Sequence, residues 1–293
     1  MSRYRLHEVL VAHARPSAGV GRLLAGIALI VAGFFMLSLV YFRLLEQLPE
    51  WDLILNELWD GRTPRALWIM LANFWPLLLV LAVVLQMLHA RTLMTLIGPR
   101  ILFMLDFRRV LRPLILLFLV MALLPAPEAM TPIRNMDFSA WLVLAPFSLL
   151  LILIQVGTEE LLFRGYLQSQ LAAQFRSPLV WMVLPSLLFG ALHFEPATYG
   201  ANALPLAIWS TLFALAAADL TARSGNLGPA IALHLANNVS AMLITSTQGY
   251  WDGVALYVVP FGPQDTDLMR QVLPLEGLMV LCCWLIGRIA IRR

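Results

Sequence analysis

The sequence predicts an all-α polytopic membrane protein with about eight transmembrane helices and both termini on the cytoplasmic side. Three observations predict it. Hydrophobic residues make up 60% of the 293 residues and charged residues only 13%, against about 45–50% and about 25% in a soluble globular domain. Mean hydropathy is +0.81. Eight segments have the roughly 20 mostly apolar residues that a crossing needs: 23–42, 66–88, 110–126, 140–172, 178–196, 203–222, 227–245 and 274–291. This composition excludes a soluble enzyme, a disordered chain and an ordinary nucleic-acid binder.

The basic N-terminal stretch leads into a full-length apolar run and lacks a small-residue cleavage site, so it reads as an anchor rather than a removed signal peptide. The third span is short. The fourth is long enough to be kinked, with Pro146 as the candidate site. Residues 44–65 carry Leu, Ile and Trp among acids and are expected on the outer surface. Residues 91–109 mix Arg with Ile, Leu and Phe and are expected as an interfacial helix on the cytoplasmic face. Residues 246–273 hold Gly, Pro and aromatics and are expected to cover an opening. Each of the three reads equally well as an ordinary loop. The chain reads as one domain with a three-span region (1–139), a central part (140–245), and an outer loop with the last helix (246–293).

Arginine sets the orientation. All 20 basic residues are Arg. With a cytoplasmic N-terminus, only Arg43, Arg62, Arg65, Arg134 and Arg270 fall outside. The absence of Lys points to a GC-rich, bacterial genome, and so to a bacterial plasma membrane. Cys282 and Cys283 are adjacent, about 100° apart on a helix, which suits neither a disulfide nor a metal site.

Charge inside a span is costly and marks function. The first three spans hold almost none. The fourth carries Gly157-Thr158-Glu159-Glu160-Leu161-Leu162-Phe163-Arg164-Gly165. Glu160 and Arg164 are four apart and face alike, as an ion pair would. Glu159 points elsewhere and needs another polar partner. His193 in the fifth span and His234 in the seventh supply it, with Asn238 one turn beyond His234. At 1.5 Å per residue, Glu159 lies about 20 Å and His193 about 22 Å from the cytoplasmic helix ends; His234 and Asn238 lie about 12 and 18 Å. Tilt lets these depths coincide. His7, His13 and His89 are expected to be solvated. Phe189 is expected to pack beside the site, and Thr158, Tyr166 and Glu195 have no assigned role.

One carboxylate, two imidazoles and an amide form a hydrolytic kit, with water as the nucleophile because no Ser or Cys pairs convincingly with either His. Two mechanisms stay open. In one, Glu159, His193 and His234 bind a divalent metal such as zinc, which activates water. In the other, Glu159 and His193 activate water directly while His234 and Asn238 stabilise the oxyanion. No HExxH pair is present.

Glu159-Glu160-xxx-Arg164, Phe189-xxx-His193 and His234-xxx-Asn238, in that order on consecutive spans, resemble the three motifs of the CAAX protease and bacteriocin-processing (CPBP/Abi) family of intramembrane proteases, which annotation calls metalloproteases. The resemblance covers 140–245 and leaves 1–139 unexplained. It implies an endopeptidase acting on a membrane-associated or lipidated protein or peptide. It further implies that Glu159 is the water-activating base assisted by His193, that Glu160 and Arg164 are a structural pair, and that His234 and Asn238 are ligands or oxyanion donors. The eukaryotic branch trims prenylated CAAX proteins; bacterial members are linked to bacteriocin maturation, immunity or surface-protein processing. Two other classes compete: a catalytically inactive scaffold or immunity protein, and a proton-coupled transporter. The transporter is disfavoured because the polar cluster has no continuation in the first three spans.

Overall fold

A computed structural model describes residues 3–292. A short α1 (Glu8–Ala14) precedes α2 (Val20–Leu45), the first long apolar rod. After α3 (Trp51–Leu58), Pro64 opens α4 (Pro64–Ala72) at the position where a missing N–H costs nothing, and the Thr63 hydroxyl accepts from Ala66 N. α4 and α5 (Phe74–His89) run on as one 26-residue stretch. That stretch stops at Ala90, which turns left-handed while Arg91 N donates to Leu85 O. α6 (Met94–Ile97) is a single turn, followed by α7 (Arg100–Ala122). α8 (Phe138–Glu160), a π-helical stretch over Leu161–Gln168 and α9 (Ser169–Gln174) make one 37-residue helix. π-Helical Leu179–Val183 leads into α10 (Leu184–Leu192), then α11 (Pro196–Tyr199) and α12 (Ala203–Ser224). α13 (Gly228–Asn238) passes into π-helical Val239–Ile244, and α14 (Thr266–Ala290) closes the chain behind an Asp265 side-chain cap.

The protein is an all-α polytopic membrane protein. Five helices are long and apolar enough to cross a bilayer: Val20–Leu45, Pro64–His89, Phe138–Gln174, Pro196–Ser224 and Thr266–Ala290; Leu179–Leu192 and Gly228–Ile244 are shorter apolar helices. α7 is the eighth segment expected from the sequence. It differs from expectation in its start: residues 100–109 are not a separate interfacial helix but the first turns of one rod that carries Pro113 inside it. Pro146 is likewise carried within α8, and the helix changes character only after Glu160. The loops add a small sheet of order β1-β3-β2, made of Ile133–Arg134, Thr245–Thr247 and Tyr257–Val259. β1 runs antiparallel and β2 parallel to β3.

α13 is the centre of the bundle. Residues 228–236 are all buried, among α7, α8 and α12, as expected of a helix apolar all round. Small residues let its neighbours close in. A side chain at Gly190 of α10 would place Cβ 2.5 Å from the Ala207 carbonyl of α12. The turn into α13 is pinned by Asn226, whose Nδ2 donates to the buried Asp106 of α7 and whose Oδ1 accepts from Gly228 N. Gly225 sits at φ +72°, and a Cβ there would strike the Leu6 carbonyl.

Two histidines expected in water are buried. His7 is 3% exposed, its ring 4.8 Å from that of Trp181, and burial pushes its pKa down to about 4. His89 lies between Ser17 Oγ at 2.8 Å and Tyr166 OH at 2.9 Å. The cause is the N-terminal segment, which folds back so that α1 packs on α9 and α6. His13 is exposed, as expected.

Candidate functional site

Glu159 and Glu160 are the last two residues of α8, before its passage into π geometry, a departure often found at functional sites. The two acids part company there. Glu160 is fully buried and accepts from Arg164 Nη1 at 3.0 Å. Arg164, also buried, donates its Nη2 to the Ala214 carbonyl at 3.3 Å, and its guanidinium lies 4.8 Å from the Phe189 ring centroid. A carboxylate, a carbonyl and an aromatic face together meet a charge that water cannot reach. The expected ion pair is present.

Glu160 also does something the spacing did not indicate. Its Oε1 is 2.8 Å from His234 Nδ1. A carboxylate accepts, so the proton of the neutral imidazole is assigned to Nδ1. That leaves Nε2 bare, and Nε2 lies 3.6 Å from Glu159 Oε2. The gap is too long for a direct hydrogen bond, and the facing atoms are both acceptors. Glu159 Oε2 is buried without a hydrogen-bond partner, as is Glu160 Oε2. A buried acceptor without a donor calls for a water, a substrate N–H or a proton. Phe189 and Phe213 set their rings edge-on to His234 at 6.0 and 5.1 Å and fix its plane.

His193 sits just past the end of α10. Its Nδ1 is 2.8 Å from the Phe189 carbonyl, so it donates there, and its Nε2 is likewise bare. No hydrogen bond or ion pair joins His193 to Glu159 or His234 among the described residues. The Phe189 ring, 4.6 Å from His193, is what the two histidines share. Phe189 therefore packs beside the site, as expected, and also spaces it.

Asn238 does not pair with His234. Its Nδ2 donates to Gln155 Oε1 at 2.9 Å, and its Oδ1 accepts from Asn237 Nδ2 at 3.1 Å. One amide hydrogen on Nδ2 stays available. Sequence reasoning missed Gln155 and Asn237. The signal for Gln155 was its place one turn before Glu159 in an otherwise apolar run. Thr158 bonds back to the Ile154 carbonyl, Tyr166 holds His89, and Glu195 accepts from Thr198 and Tyr250 on the exposed side.

Among the described residues no three His, Cys, Asp or Glu side chains are gathered closely enough to hold a metal ion. Glu159, His193 and His234 therefore do not stand as a coordination set, and only the Glu159–His234 edge of that triangle is closed.

Residues 140–240 match the family described as type II CAAX prenyl endopeptidase Rce1-like, in keeping with the resemblance its three motifs carry. The chain is also similar to Uncharacterized protein YyaK of Bacillus subtilis (strain 168), 31% identical over 124 residues, which are 42% of this chain and 41% of that protein. The match thus spans about two fifths of that relative's length. No solved structure matches the chain.

Proposed function

We propose that this integral membrane protein is an endopeptidase that hydrolyses a peptide bond within the bilayer, close to the membrane-anchored end of its substrate. The observation that carries the reading is the pairing of Glu159 Oε2 with the bare Nε2 of His234 at 3.6 Å, with His234 held in one tautomer by Glu160. The family matched by residues 140–240 supports it.

A water beside both atoms donates one hydrogen bond to Glu159 and is turned toward the scissile carbonyl. Glu159 takes its proton as the oxygen attacks, and His234 Nε2 holds the second hydrogen. The free amide hydrogen of Asn238, steadied by Gln155 and Asn237, meets the developing oxyanion. The proton on Glu159 then passes to the leaving nitrogen as the C–N bond breaks. His193, its ring 4.6 Å from that of Phe189, presents a second bare nitrogen and is assigned the assisting role. Glu160 and Arg164 orient His234 and do not touch substrate. The donor set as it stands does not fit a metal, so no step runs through one.

The substrate class is a peptide or protein anchored by a lipid or an apolar helix. The chain crosses the bilayer eight times, with both termini cytoplasmic in a bacterial plasma membrane. Cleavage of lipid-anchored, fluorescence-quenched peptides in proteoliposomes tests the activity. Glu159→Gln is expected to lower the rate by about 10²–10⁴-fold while thermal unfolding is unchanged. Retained cleavage by that variant rules the mechanism out. A scaffold or immunity protein predicts that the variant keeps its cellular phenotype.

A further inference from the structure

We propose that the arginine-lined cleft where the ends of α12 and α14 meet the N-terminal segment binds the phosphate of an anionic phospholipid. The cleft measures about 530 Å³ and is lined by Arg3, Arg223, Arg288, Ile291 and Arg292. Four arginines line it. Among the described residues the one carboxylate bonded to any of them is Asp219, which accepts from Tyr4 OH at 2.8 Å, Arg223 Nε at 2.7 Å and Trp284 Nε1 at 2.9 Å. Among the described residues no acid pairs with Arg3, Arg288 or Arg292. Arg288 instead rests on the Trp284 ring, 4.9 Å from its centroid. Like charges gathered around one cleft repel unless an anion joins them. Guanidinium forks match phosphate oxygens two at a time.

The lipid form of that phosphate follows from the flank of α14. Leu278, Leu281, Leu285 and Ile289 are exposed at 56, 46, 43 and 56%. Their spacing of three and four residues makes one stripe. The stripe ends beside Arg288, so an acyl chain on the leucines places its headgroup at the cleft. Basic pockets between helix ends bind anionic headgroups in this manner. A free phosphate has no use for the stripe. The Tyr4–Asp219–Trp284 network fixes Arg223 and ties the N-terminal segment to both helices, so an occupied cleft staples them. This inference stands independently of the catalytic reading.

The test uses the whole protein in vesicles of phosphatidylcholine doped with acyl-brominated phosphatidylglycerol or acyl-brominated phosphatidylcholine. Bromine quenches nearby indoles, and Trp284 sits beside the cleft. Brominated phosphatidylglycerol is expected to quench more than brominated phosphatidylcholine at equal mole fraction. That excess is expected to vanish in Trp284→Phe and in Arg288→Gln/Arg292→Gln. It is expected to persist in Arg43→Gln, at the far end of α2, and in millimolar inorganic phosphate. Each guanidinium removed weakens the preference by roughly fivefold. Arg3→Gln/Arg292→Gln, which alters two exposed side chains, repeats the test without altering Arg288 on the Trp284 ring. Equal quenching by the two lipids overturns the proposal, as does an excess that survives either arginine pair or Trp284→Phe. Loss of the excess in inorganic phosphate reassigns the cleft to a soluble anion and overturns the lipid assignment.

Discussion

α2 and α13 are both apolar helices of one membrane protein, yet they are built on opposite terms. In α2 only Leu23, Gly26, Ile30 and Ser38 are buried among 26 residues. In α13 nine of 11 are. The most apolar 18-residue window of α2 is 17% buried inside the protein, against 50% for the Pro196–Ser224 stretch that includes α12. Lipid solvates the outer helices, so their leucines need no specific neighbour. The inner helices α12 and α13 use Ala and Gly to bring backbones together, and they meet the polar ends of α8 and α10 there. Burial and charge are concentrated in the same place because only a protein interior can complete the hydrogen bonds of an ionised group in a bilayer.

The sharpest way to break this comparison is to remove one charge from the inside. Glu160→Ala leaves Arg164 buried without its carboxylate and is expected to cost about 3–5 kcal/mol, read as a fall in thermal stability in detergent. Glu159→Ala, which removes a carboxylate whose Oε2 has no hydrogen-bond partner among the described residues, is expected to leave stability nearly unchanged. Equal losses from the two adjacent acids contradict the division of roles.

Acid comes next. Folded, the His7 ring stays neutral down to about pH 4; unfolded, it takes its proton near the usual value of about 6.5. Between those values the unfolded chain binds more protons, so stability is full above about pH 6.5 and falls as pH drops toward 4. The loss from this group is about 3 kcal/mol. His7→Phe, which keeps the contact with Trp181, is expected to flatten stability over that window.

Smaller effects separate inner and outer glycines. Gly190→Ala forces a Cβ against the Thr211 hydroxyl and the Ala207 carbonyl and is expected to cost about 1–3 kcal/mol. Gly277→Ala meets nothing within 4 Å on the outer α14 and is expected to be neutral or to stabilise by up to about 1 kcal/mol. Smallest of all, Leu281→Ala on the lipid-facing stripe of α14 is expected to change stability by less than about 0.5 kcal/mol.

The outer half of this comparison was legible in the sequence. Each apolar run of about 20 residues became a helix, because a bilayer permits little else. The Glu160–Arg164 pair was legible too, since an i,i+4 relation depends only on helix geometry. Relations across helices were not. Nothing in the spacing of His234 and Asn238 shows that the first turns to Glu160 and the second to Gln155, since rotation about a helix axis is set by packing. The π-helical turns after Glu160 and Asn238 and before α10 shift that rotation further and have no local sequence mark. The buried His7 and His89 were missed because a return of the N-terminal segment onto α9 is a long-range contact. The run 91–109 read as a separate interfacial helix because its arginines broke the apolar window, although α7 starts at Arg100 and continues through Arg108 and Arg109.

The central claim is that Glu159 and His234 work as one unit on one water. A double-mutant cycle on peptide cleavage in proteoliposomes, with Glu159→Gln, His234→Gln and both together, tests it most directly. Residues acting as a unit give singles that each lose nearly as much rate as the double, and the account predicts that result with a loss of about 10²-fold or more in each. Losses that multiply independently, or a His234→Gln variant that cleaves at the wild-type rate, contradict it.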